Sequence, residues 1–171
     1  MRSIYADRKI NPAVRVRGPL PGRLIAFIAI VFATIAYAGE PLGPDPALSP
    51  EEVVGIQLDA LQRNDSPSLD AGIRQVWLLA HPDNKQATGP LPRFTQMIKG
   101  APFRPLIGHA THDIERLGTT DEQVGFKVTV ETSDGIVLEY FWAVGLVDSG
   151  PAKGSWMTIS VFQPRDAGRA T

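Results

Sequence analysis

Residues 124–147 read VGFKVTVETSDGIVLEYFWAVGLV, and the reading of this stretch decides the fold. Val124, Phe126, Val128 and Val130 alternate with Gly125, Lys127, Thr129 and Glu131. That period of two predicts a strand with one dry face and one wet face. Ser133-Asp134-Gly135 then predicts a tight turn, because Asp-Gly accepts the positive φ values that a hairpin requires. Ile136 to Val147 is apolar at nearly every position, as in a central strand covered on both sides or lying at an interface. Met157, Ile159 and Val161 predict a last strand that stops before Gln163-Pro164, preceded by a loop from Gly150 to Gly154. A more polar strand is expected from about Ile107 to Leu117.

Working back from the strands, periodicity changes to that of helices. Ser49-Pro50-Glu51-Glu52 places a hydroxyl at the N-cap, proline at the first helical position and a carboxylate two residues later, which is a capping box. Val53, Val54, Gln57, Leu58 and Leu61 follow at helical spacing, so one face of this helix must pack. A second helix is predicted from Asp70 to about Ala80, ended by His81-Pro82, since a residue before proline avoids the α region. Asp83 to Gly89 reads as polar loop. Pro90 and Pro92 then open a third helix, with Phe94, Met97 and Ile98 on one face and Gly100 as its stop. Three helices followed by consecutive strands predict an α+β domain, an antiparallel sheet of about four strands with the helices on one face.

The first 38 residues read differently from the rest. Leu24 to Ala38, LIAFIAIVFATIAYA, holds no charge, and six basic residues precede it against one acid, Asp7. A basic start, a short apolar core and the small-x-small ending Ala36-Tyr37-Ala38 predict a secretory signal peptide cleaved near Ala38. The expected destination is extracytoplasmic, periplasmic or secreted. A retained membrane anchor is the alternative, although a span takes about 20 apolar residues. Residues 39–48, with Pro41, Pro44 and Pro46, read as an extended linker, 49–164 as the domain and 165–171 as a disordered tail. The whole chain has 17 basic and 18 acidic residues and a formal net charge of −1. Beyond Ala38 the balance becomes 11 basic against 17 acidic, a net of −6. Such a domain is a poor partner for nucleic acid, which needs clustered Lys and Arg, and a membrane partner is expected only if the apolar segment is retained.

The order of elements resembles the NTF2-like cone fold. More narrowly, Ser49 to Leu61 followed by LAHPDNKQATGPLPRF (residues 79–94) and FRPLIGH (residues 103–109) resembles an uncharacterised family of that superfamily, the DUF4864 type. The resemblance covers roughly Pro50 to Pro164. It implies a curved sheet wrapped around helices with a pocket between them, and it assigns no chemistry to any residue. The superfamily holds isomerase-like enzymes, dehydratases and pure binding or dimerisation modules, and a shared fold does not choose among these.

Several side chains are candidates for such a pocket. Trp77, Phe94, Met97, Tyr140 and Trp142 are large apolar groups at helix or strand spacing, which makes them core or pocket wall. His109 and His112 suggest a metal pair, but on a strand those positions point to opposite faces, so no metal site is expected. The same alternation turns His112 inward with Ala110 and Ile114, and Asp113 outward. An enzyme of the isomerase or dehydratase kind requires a base and an oxyanion donor, and His112 with Tyr140 is the pairing on offer. No Gly-rich phosphate loop, dinucleotide fingerprint or Gly-x-Ser-x-Gly elbow occurs, so no cofactor is expected. The absence of cysteine excludes thiolate catalysis and disulfide scaffolding. These residues point to a ligand-binding or self-association module for a small apolar molecule or a second copy of the chain, docked on the sheet. A small-carbonyl enzyme is the alternative.

Overall fold

The structure, a computed structural model, describes residues 40–169. The proposed signal segment, its cleavage site and the last two residues lie outside the described residues. The domain is α+β. Four α-helices, α1 (Pro50–Gln62), α2 (Ala71–Leu78), α3 (Pro82–Thr88) and α4 (Leu91–Lys99), precede a short 3-10 turn at Arg104–Leu106. Four strands follow, β1 (Thr111–Thr119), β2 (Gln123–Glu131), β3 (Ile136–Leu146) and β4 (Trp156–Arg169). They form an antiparallel meander in the order β1-β2-β3-β4.

The capping box at the start of α1 forms as the sequence dictates. Ser49 Oγ accepts from the Glu52 amide at 3.3 Å, and the Glu52 carboxylate accepts from the Ser49 amide at 2.8 Å. The apolar stripe of α1 is buried against the sheet, as Val53, Val54, Leu58 and Leu61 are each at most 1% exposed. Opposite them stand Val124, Phe126, Val128 and Val130 of β2 and Tyr140, Trp142 and Val144 of β3. Each large apolar side chain buried here contributes about 1.5–3 kcal/mol. The turn between β2 and β3 has Gly135 at φ +78°, the left-handed value that its Asp-Gly sequence predicts.

Helix α2 begins with a device that sequence pattern does not signal. Its N-cap Asp70 sits at φ +58° and makes no side-chain cap. Asn64, from the end of α1, takes over: its carbonyl accepts from the Gly72 amide at 2.8 Å and its side-chain Oδ1 from the Ile73 amide at 3.1 Å. The free first-turn amides of α2 thus bind α1 directly, and the two helices meet at Gly72.

Three expectations need correction. Residues Asp83 to Gly89 form helix α3 rather than a loop. The His81 ring Nδ1 accepts from the Asp83 amide at 3.2 Å and Pro82 fills the first turn, so His-Pro starts a helix, while α2 has already ended at Leu78. Residues 165–169 are strand rather than disordered tail, with Arg165 opposite Glu139 and Arg169 opposite Ile136. Pro164 does not stop β4 because β4 is an edge strand and the ladder shifts register between Glu139 and Phe141. Finally, β1 begins at Thr111, not Ile107. Gly108 at φ +69°, its amide bonded to the Leu61 carbonyl at 3.0 Å, turns the chain before the strand starts. The expected linker is also docked where it is described: Leu42 exchanges two 2.8 Å hydrogen bonds with the Gln75 side chain.

The outer face of the sheet is mixed. Glu115 of β1 pairs with Lys127 of β2, and the Arg165 guanidinium lies 5.4 Å over the Phe141 ring. Ile159 covers Gly145. Local neighbours therefore cover part of the excess apolar surface of β3.

Candidate functional site

A cavity of about 350 Å³ lies between the helices and the β3–β4 half of the sheet. That volume is about a dozen waters' worth of space and falls at the lower end of small-molecule sites. Its apolar wall comes from Leu61 of α1, Val76 of α2, Phe94, Met97 and Ile98 of α4, and Phe103 and Leu106 beyond them. The helix α3 borders it with Asp83, Asn84, Ala87 and Thr88, and β4 with Thr158 to Val161. Amphipathic α4 presents Phe94 and Ile98 to this space because they lie one turn apart on one face. β4 is held near α3 by a parallel bridge between Ala80 and Thr158, with the His81 amide donating to the Thr158 carbonyl at 2.8 Å.

The floor of the cavity carries a buried polar triad. Gln57 Oε1 accepts from the Thr158 hydroxyl at 2.6 Å and from the Trp142 indole at 3.2 Å. The same indole N–H also reaches Thr158 Oγ1 at 3.1 Å, and Gln57 Nε2 donates to the Val76 carbonyl at 3.2 Å. Gln57, Trp142 and Thr158 are at most 2% exposed, so each of these bonds replaces water that cannot reach the groups. The triad ties α1, α2, β3 and β4 to one point. It fixes the shape of the cavity floor and leaves most of the deep donors satisfied. Nearer the mouth, Asn84 Nδ2 donates to the Thr158 carbonyl at 3.1 Å.

No family model matches this chain, and no curated protein or solved structure matches it.

Of the residues singled out by sequence, Phe94, Met97 and Trp142 line the cavity. Trp77 lies outside its lining, half-buried on α2 with the Lys85 ammonium 4.8 Å over its ring, and its indole N–H has no partner among the described residues. Tyr140 is fully buried beside Trp142 on the inner face of β3, and its hydroxyl donates to the Pro102 carbonyl at 3.1 Å. Burial pushes this phenol well above its usual range, so it stays protonated. His112 does turn inward from β1, and Asp113 is exposed on the opposite face.

His112 does not meet Tyr140 at the cavity. It meets His109. Because β1 starts after His109, strand alternation does not separate the two rings: His109 Nε2 lies 2.8 Å from His112 Nδ1, with ring centroids 5.0 Å apart. His109 Nδ1 faces the Leu106 carbonyl at 2.7 Å, so that nitrogen carries the proton and Nε2 accepts from His112. Burial holds His109 below the usual imidazole range and keeps it neutral. The outer nitrogen of His112 faces Asp59 of α1 at 3.8 Å. Among the described residues no group of three His, Asp or Glu side chains could hold a metal ion. The pair serves as a hydrogen-bonded brace between β1, α1 and the 3-10 turn.

The residues that sequence reading missed are Gln57, Asn84, Thr158 and Ser160. One signal was available: Gln57 stands among Val53, Val54, Leu58 and Leu61 on a stripe that must be buried, and a buried amide needs partners.

Proposed function

We propose that this protein is an exported small-molecule binding module of NTF2-like type, and that the cavity between α3, α4 and β4 is where the ligand sits. One observation carries the reading: a cavity of about 350 Å³ whose wall is apolar and whose few polar groups converge from Gln57, Asn84, Thr158 and Ser160. Most of the chain's other large side chains fill a close-packed core, so an open apolar space of this size stands out as a place for a ligand. Binding rather than catalysis is favoured because His112 and Tyr140 both spend their polar atoms away from the cavity. Export rests on the Leu24–Ala38 segment and its basic flank. The uncharged fluorophore N-phenyl-1-naphthylamine tests the cavity. It is expected to bind one per chain with enhanced emission, and Ala87→Phe at the cavity border is expected to weaken it at least ten-fold with the thermal midpoint unchanged. Absence of binding by the parent chain, or an unaffected variant, would refute this.

A second reading, self-association through the outer sheet face, is favoured by Phe162, which is 60% exposed opposite Phe141. Sedimentation equilibrium is expected to show a dimer that Phe162→Glu dissociates. A monomeric parent chain ends this reading.

A further inference from the structure

We infer that the cavity selects neutral or amine-bearing apolar molecules over carboxylates, with Asp83, Asn84 and Ser160 forming its polar mouth. This rests on the cavity being a ligand site. Asp83 is the one charged residue in its lining among the described residues. The nearest cation on α3, Lys85, is turned elsewhere, since its Nζ donates to the Leu78 carbonyl at 3.1 Å and covers the Trp77 ring. A bound carboxylate would therefore lose water and gain no counter-ion, with a second carboxylate at the rim.

Hydrogen bonding at the mouth does not discriminate by charge, so the lone carboxylate sets the preference. Most deep donors are already committed: the Trp142 indole and the Thr158 hydroxyl to Gln57, and one Gln57 Nε2 hydrogen to Val76. Asn84 gives one Nδ2 hydrogen to the Thr158 carbonyl, which leaves its second Nδ2 hydrogen and Oδ1 open. Ser160 Oγ makes no hydrogen bond to the described residues and can donate or accept. The mouth therefore offers both donors and acceptors through Asn84 and the Ser160 hydroxyl, and its one charged group is the acceptor-only Asp83 carboxylate. A ligand meets this mouth with an alcohol, an amine or an ammonium group, and its apolar body fills the wall made by Phe94, Met97 and Ile98.

Octylammonium and octanoate carry the same chain and opposite charges, so their relative affinity isolates the sign of the site. Calorimetric titration of the parent chain at pH 7.5, with 1-octanol as the neutral third ligand, is the test. Octylammonium is expected to bind at least five-fold tighter than octanoate, with 1-octanol between them, and Asp83→Asn is expected to cut the octylammonium-to-octanoate ratio by half or more. Asp83 is an exposed side chain outside the core, so the variant keeps the fold. Octanoate binding as tightly as octylammonium, or a ratio that Asp83→Asn leaves unmoved, overturns the selectivity while the cavity reading stands. If none of the three binds, both fall.

Discussion

Gly72→Ala is expected to be the most damaging single-methyl change in the domain. A Cβ at Gly72 would overlap the Ala60 carbonyl oxygen and lie 2.7 Å from the Ala60 carbonyl carbon and 2.9 Å from Asn64 Cα. All three are backbone atoms of α1 or its end, so no rotamer can move aside. The contact cannot simply open, because the Gly72 and Ile73 amides are bonded to Asn64, the group that caps α2. The substitution must separate the helices and break those caps. Forced overpacking of this kind costs about 1–3 kcal/mol, and loss of a cap adds about 1 kcal/mol. A fall of about 3 kcal/mol in urea unfolding is expected. Gly55→Ala is the matched control. Gly55 lies inside α1, and a Cβ there meets nothing within 4 Å, so the same change should gain up to about 1 kcal/mol from helix propensity. A Gly72→Ala protein within about 0.5 kcal/mol of the parent would show that the helices do not meet as described, since well-tolerated sites fall in that range.

The contrast between these two glycines illustrates what the sequence makes legible. Both sit in helical segments and nothing local distinguishes them; the difference lies in a neighbour eight or more positions away. Local rules did suffice where the determinant was local. The Ser49–Glu52 capping box, the alternation in β2 and the Asp134-Gly135 turn each depend on residues within a few positions of one another. Helix α3 was hidden for the opposite reason. None of its residues is buried, so it has no apolar stripe, and it is held by His81, Pro82 and the Thr88 hydroxyl on the Asn84 carbonyl. The end of β4 was hidden because Pro164 is a stop signal in a central strand and tolerable in an edge strand, and strand order is a tertiary property.

The cavity was legible in its walls and not in its polar groups. Phe94, Met97 and Trp142 announce themselves as large apolar side chains. Gln57, Asn84, Thr158 and Ser160 come from three segments of the chain, and only the packing of α1 and α3 against β4 brings them together. His109 and His112 show the same limit in reverse. Period-two geometry separates them if the strand includes both, and the turn at Gly108 means that it does not.

The polar triad supplies the second large effect, and its signature is non-additivity. Trp142 has two acceptors for one indole N–H, Gln57 Oε1 and Thr158 Oγ1. Thr158→Val leaves Gln57 to accept, and Gln57→Leu leaves Thr158 to accept while also removing the donor to the Val76 carbonyl. Each single change therefore keeps the indole bonded. Leaving a buried donor or acceptor unpaired costs about 1–3 kcal/mol, so Gln57→Leu is expected to lose about 2 kcal/mol through Val76, and Thr158→Val about 1 kcal/mol. In the double variant no acceptor remains for Trp142, which is 2% exposed and cannot turn to water. The double loss should exceed the sum of the single losses by about 1–2 kcal/mol, well above the roughly 0.5 kcal/mol within which independent sites add. Urea unfolding of the four proteins measures this directly. Strict additivity would mean that the indole draws on an acceptor other than Gln57 and Thr158, and the triad would no longer be the fixed floor on which the ligand site is built.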